Sequence, residues 1–197
     1  MISSCILLAI DEFSFVMAGV LKMDQERYKF QGAIVFVADK SSNQCVFVSR
    51  KSSPQFLGGM AGGKIEAHET FRQAAQREFM EETGFALSAL SSEPIFSSKV
   101  YESNSFCQVF LGCVDDEHFW DRLKASKNGF IGPEGLIVRA AEWHRLMDYG
   151  ECEFAHFNNR FLREIARDAN MRGIFEQFQL NNVHNEISKF PFPYHPE

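Results

Sequence analysis

The stretch that most constrains this chain runs from Gly63 to Phe85, GKIEAHETFRQAAQREFMEETGF. It places Glu78, Glu81 and Glu82 within five consecutive positions of a segment whose composition is helical. At about 100° per residue, the three carboxylates cover an arc of only about 100°. On the same wheel Ala74, Ala75 and Phe79 lie within about 80° of Phe71, an amphipathic stripe that must face a core. The carboxylates fall on or beside that sector, so this helix turns clustered negative charge toward the body of the protein. A solvated acidic face, the ordinary alternative, would put them opposite the stripe. Like charges held so close repel unless protons or a cation intervene. A hard divalent ion with oxygen ligands, Mg²⁺ or Mn²⁺, meets that need.

The spacing within the stretch is Gly63, five residues, Glu69, seven residues, then Arg77-Glu78-Phe79-x-Glu81-Glu82-x-Gly84-Phe85. It resembles the signature of the Nudix hydrolases, G-x5-E-x7-R-E-U-x-E-E-x-G-U, where U is bulky and apolar. All seven fixed positions match, and Phe79 and Phe85 fill the bulky ones. At average residue frequencies such a match arises by chance with a probability on the order of 10⁻⁸ per window. The resemblance implies an α/β/α sandwich with a mixed β-sheet and a loop–helix–loop catalytic motif. It also implies Mg²⁺-dependent cleavage of the pyrophosphate bond of a nucleoside diphosphate linked to another moiety, with Mn²⁺ as a possible substitute.

Composition sets the frame around that motif. A chain of 197 residues suits one domain, here read as a core at about 30–170 with an addition at 1–29 and an extension at 171–197. Hydrophobic residues at 45% and charged residues at 23% are ordinary for a globular protein, but 21 Phe against 4 Tyr and 2 Trp are not. We read these rings as core and pocket lining. A net charge of −6 with no Lys/Arg-rich run argues against duplex nucleic acid or an anionic membrane as partner. A small nucleotide held through metal suits an acidic protein. Cys5, Cys45, Cys107, Cys113 and Cys152 are scattered without a C-x-x-C pair, which points to reduced thiols in a cytoplasmic protein. The apolar run at 5–10 is too short to span a membrane and lacks a basic leader, so neither secretion nor membrane insertion is expected.

Along the chain, 32–38 reads as a central strand covered on both faces, and 45–50 as its hairpin partner across a polar turn. Four glycines between Gly58 and Gly63 open backbone conformations closed to bulkier residues. The catalytic helix opens at 68–70 and ends at Gly84, a left-handed cap position. Strands are expected at 85–90, 95–102, 106–114 and within 136–146, and helices at 115–127, 153–168 and 171–178. The tail at 190–196 reads as extended, packed on its own domain or on the sister subunit of a homodimer.

By resemblance, Glu78, Glu81 and Glu82 hold the metal together with the Gly63 carbonyl, while Arg77 and Glu69 orient the carboxylates. Glu134, in a late Gly-Pro-Glu-Gly loop, is a candidate general base or additional ligand; a polar turn residue is the alternative. Lys64 could face a phosphate. Tyr101, sixteen residues beyond the signature, resembles the diadenosine polyphosphate subgroup, and Asn158 a base-binding asparagine of MutT-like proteins. Two rival functions remain: a nucleotide-binding regulatory module without hydrolysis, and an RNA 5′-end pyrophosphohydrolase or decapping enzyme.

Overall fold

The computed structural model describes residues 28–49, 58–100, 104–126, 128–147 and 153–192, the side chains of 153–155 excepted. The strands are β1 (Phe30–Val37), β2 (Gln44–Ser49), β3 (Ala61–Lys64), β4 (Ala89–Leu90), β5 (Phe96–Val100), β6 (Ser105–Cys113), β7 (Phe130–Ile131) and β8 (Ile137–Glu142). The helices are α1 (Phe71–Thr83), α2 (Glu117–Ala125), α3 (Glu153–Arg167), α4 (Ala169–Gln177) and α5 (Asn181–Lys189). The apolar runs at 5–10 and 13–21 lie outside the described residues. Among the described residues no helix is long and apolar enough to cross a membrane.

The unbroken apolar run of β1 is explained by its neighbours on both faces. Ala33, Val35 and Val37 pack with Ala74, Ala75 and Phe79 of α1, while Phe36 and Ala38 pack with Phe161 and Ile165 of α3. Both edges of β1 are also occupied: β3 runs antiparallel along one and β6 parallel along the other. That occupancy corrects the hairpin expected from the sequence. The turn after β1 does close, with Ala38 bridging Cys45 and the Asp39 amide donating to the Gln44 carbonyl at 2.9 Å. Beyond it β2 finds no free edge, passes to a second sheet and pairs with β8 in the order β2-β8-β7. The strand expected at 85–90 shrinks to Ala89–Leu90 for a similar reason. β4 and β5 share one edge of β6, so only Gly112 and Cys113 remain for β4. Phe85 and Leu87 instead pack against the α1-side core.

Helix α1 begins where its caps dictate. Thr70 accepts from the Gln73 amide while the Gln73 side chain accepts from the Thr70 amide, a reciprocal capping box. It ends at Gly84, whose φ of 80° is left-handed and whose N–H reaches the Met80 carbonyl at 2.8 Å.

On the opposite face, α3 carries Phe157, Phe161, Leu162 and Ile165 into the core. Gly173 does not interrupt α4, and α5, left without an element in the sequence reading, buries Val183 and Ile187 in the same cluster. Phe190 continues as extended backbone and stacks edge-on against Trp143 at 5.0 Å. The described tail, to Phe192, thus packs on its own chain.

Candidate active site

The signature residues meet because the β3-to-α1 loop folds back along the helix. Arg77 is the hub. Its Nε and Nη2 donate to Glu69 Oε1 and Oε2, each at 3.0 Å, a bidentate pair across the loop. Its Nη1 donates to Glu78 Oε1 at 2.8 Å and Glu81 Oε2 at 2.9 Å, and Nη2 reaches the Lys64 carbonyl at 2.9 Å. One guanidinium therefore ties the end of β3 and the loop to two of the three clustered carboxylates, using the fixed fork that lysine lacks. Hydrogen bonding to Arg77 holds the Glu69 carboxyl below the usual range, and Glu69 in turn accepts from the Glu66 amide at 3.1 Å.

Glu82 sits differently. Its Oε2 accepts from the Gly62 amide at 2.9 Å, and no guanidinium reaches it among the described contacts. Burial pushes its carboxyl up to about 8, the Gly62 amide opposes that rise, and the charges of Glu78, Glu134 and Glu81 add to it. Glu78 is also raised, by burial first, with Arg77 pulling the other way. The four carboxylates therefore share one electrostatic field, although Glu134 lies fifty-two positions after Glu82. The loop bearing Glu134 is set against the end of α1 by close backbone approach: a Cβ added at Gly132 would stand 1.8 Å from the Glu82 carbonyl oxygen.

Glu82 and Glu134 line a cavity of about 480 Å³, together with Gly62 and, from elsewhere in the chain, Asn158. Asn158 is buried, and its Nδ2 donates to the Leu146 carbonyl at 2.8 Å. The remaining walls are Ile34, Gly59, Met60, Leu136 and Phe157, with Val48 and Ser49 from β2. Gly62 stood within the glycine run as a shaping residue, and only the fold shows its amide holding Glu82. The β2 residues gave no signal at all, because they are ordinary members of a strand pattern. Lys64 lies apart from this wall: its ammonium rests over the Phe30 ring, 4.0 Å from the centroid. Tyr101 lies outside the described residues.

The donor set suits a hard divalent cation. All side-chain candidates are carboxylate oxygens, and Arg77 takes one oxygen each of Glu78 and Glu81 while Gly62 takes one of Glu82. The other oxygen of each carries no such bond among the described residues. Among the described residues no three acidic, histidine or cysteine groups already stand at coordinating distances. Glu78 nonetheless lies tightly against Gly63, where a Cβ would come within 2.4 Å of its carboxylate atoms. Only glycine leaves the Gly63 backbone open beside that carboxylate.

A family model described as the NUDIX domain matches residues 29–165. The chain belongs to the Nudix family. Over 61 residues it is 44% identical to a protein of Bacillus subtilis (strain 168) named "Putative 8-oxo-dGTP diphosphatase", a match covering 30% of this chain and 39% of that relative. The chain thus spans well under half the length of that curated relative. Among solved structures, a "putative nudix hydrolase family member" from Chromobacterium violaceum superposes with a TM-score of 0.52 at 18% identity, covering 81% of this chain and 93% of its own. A MutT structure from work on Aliivibrio salmonicida and Vibrio cholerae gives a TM-score of 0.49 at 18% identity, covering 71% and 98%. The Chromobacterium likeness supports the Nudix fold, and the mixed-sheet α/β architecture read from the signature holds.

Proposed function

We propose that this chain is a Mg²⁺-dependent Nudix pyrophosphohydrolase acting on a nucleoside triphosphate or a related nucleoside diphosphate derivative. The observation that carries the reading is the convergence of Glu82 and Glu134 on one cavity, within the field of Glu78 and Glu81. The diphosphatase name of the Bacillus subtilis relative favours the same substrate class. Glu78, Glu81 and Glu82 would hold the ion with the Gly63 carbonyl, and Mg²⁺ supplies charge neutralisation of the diphosphate and a more acidic water. Arg77 and Glu69 act as positioning residues through the hydrogen bonds described above. Glu134 faces the same space and would accept the proton of the attacking water. The water oxygen bonds to phosphorus as the bridging P–O bond breaks; a nucleoside triphosphate then leaves as monophosphate and pyrophosphate. Asn158 offers a neutral polar group to the base. Buried free thiols at Cys45, Cys107 and Cys113 accord with a cytoplasmic setting.

The test is a hydrolysis screen across nucleoside triphosphates, dinucleoside polyphosphates, nucleotide sugars and ADP-ribose, with products weighed by mass spectrometry. Cleavage of a nucleotide pyrophosphate with Mg²⁺, abolished by chelation, is the expected result. Tight nucleotide binding with no product under any divalent metal would replace hydrolysis with a binding role.

A further inference from the structure

We propose that Ser49 is a specificity-determining residue, its hydroxyl hydrogen-bonding the edge of a neutral, flat heterocycle seated in the cavity. The inference rests on the pyrophosphohydrolase reading above and extends it to the part of the substrate that does not react.

Side chains alternate along a strand, so Cys45, Phe47 and Ser49 share one face of β2. Cys45 and Phe47 are fully buried in the cluster that contains Phe157 and Phe161. Ser49 is the next member of that row, and it lines the cavity beside Phe157 and Asn158. It is 7% exposed, and its Oγ has no hydrogen-bond partner among the described residues. A buried hydroxyl without a partner is unfavourable in the free protein, and such groups usually find one. A ligand in the cavity could provide it after rotation about a single bond.

The backbone around Ser49 holds it in place and keeps the space beside it clear. Ser49 is in register with Ile137 of β8. Its neighbour Val48 exchanges both backbone hydrogen bonds with Gly59, at 2.8 and 3.0 Å. Gly58 has a φ of 91°, and a Cβ there would meet the Val48 carbonyl oxygen at 1.9 Å and Ser49 Cβ at 2.6 Å. Any other residue at Gly58 would crowd Ser49. Asn158 supplies the complement. Because its Nδ2 is committed to the Leu146 carbonyl, its Oδ1 is left as an acceptor, whereas Ser49 both donates and accepts. Two neutral polar groups among apolar walls suit a nucleobase, and the cavity volume lies within the range of small-ligand sites.

The experiment measures kcat/KM of wild type, Ser49→Ala and Ser49→Cys with GTP, ITP, ATP and 8-oxo-dGTP in Mg²⁺, beside melting temperatures without nucleotide. We expect wild type to prefer one base. Both variants should lose roughly five- to tenfold in kcat/KM on it, mainly through KM, and lose least on the base lacking the recognised group. The unliganded melting temperature of Ser49→Ala should be unchanged or higher, since an unpaired hydroxyl has been removed. An equal loss on every base, an unaltered preference, a wild type indifferent to the base, or a lower unliganded melting temperature would each overturn the role of Ser49 while leaving hydrolysis standing. A wild type that cleaves none of these four would overturn the Ser49 assignment to a triphosphate's base, and the pyrophosphohydrolase reading falls only if the dinucleoside polyphosphates, nucleotide sugars and ADP-ribose of the wider screen are also left uncleaved.

Discussion

Both faces of the β1-centred sheet are packed cores, but the α1 face adds a shared charge network that the α3–α5 face does not use among the described residues. On the α1 face a core that includes the Phe79, Phe85 and Phe119 rings is supplemented by one guanidinium shared among Glu69, Glu78 and Glu81. On the α3–α5 face packing dominates: Phe36, Phe161 and Phe175 interlock with ring centroids 5.5 and 6.3 Å apart, and Phe96 meets Phe161 at 5.7 Å. The cavity lies where the two meet, taking Glu82 from the first and Phe157 and Asn158 from the second. Reactivity and stability are therefore drawn from different residues, and the two should separate on mutation.

The sharpest separation is Glu82→Gln. It should lower kcat by roughly a thousandfold or more, because a metal-holding charge of several kcal/mol is lost. Its melting temperature should hold, because the buried carboxyl, pushed up to about 8, is already mostly uncharged at neutral pH without metal and the amide keeps an acceptor for the Gly62 N–H; unchanged turnover would remove Glu82 from the chemistry. Phe161→Ala tests the other face and should show the reverse. A fully buried ring lost from a packed core costs about 3–5 kcal/mol in urea unfolding. Turnover per folded molecule should nevertheless persist at low temperature. Arg77→Lys keeps the charge but loses the fork, so we expect a ten- to hundredfold fall in kcat with little change in KM.

The smallest effect is expected from the single histidine of the α3–α5 face, in the pH dependence of stability. His184 on α5 has its pKa below the ordinary 6.5, chiefly through burial, with Arg172 lowering it further and the Ile165 carbonyl and Glu176 opposing. The unfolded chain therefore takes up that proton more readily. Stability from this face is present above about pH 6.5 and is lost as pH falls below it. Glu69 has its pKa below the ordinary 4.5, so its own contribution is kept above that value and lost as pH falls through the lowered one. Glu82, pushed up to about 8, works the other way and costs stability as pH rises from 4.5 toward it. Melting curves from pH 7.5 to 3.5 should show the first loss alone flattened in His184→Asn.

Much of the α1 face was legible in the sequence because its determinants are local. The Thr70 box, the Gly84 cap, the apolar stripe and the acidic cluster all lie within fifteen consecutive residues, where helical periodicity converts spacing into geometry. The rest of the fold was legible as elements more than as partners. The strand at 45–50 was expected, but its pairing with β8 was not, because alternation states which residues share a face and not which edge is free. Helix α5 went unread because the segment 181–189 is mostly polar, and its three buried residues, Val183, His184 and Ile187, are supplied by contact with α3 and α4.

The sequence by itself determined the family and the carboxylate cluster on which the proposed chemistry rests, through a motif whose members sit close enough to be placed by helix geometry alone. The tertiary structure decided what surrounds that chemistry. Ile34, Ser49, Leu136 and Asn158 reach one cavity only because β1 fills both its edges and sends β2 to a second sheet. Long-range pairing of that kind depends on competition among edges and faces, and no local spacing encodes it.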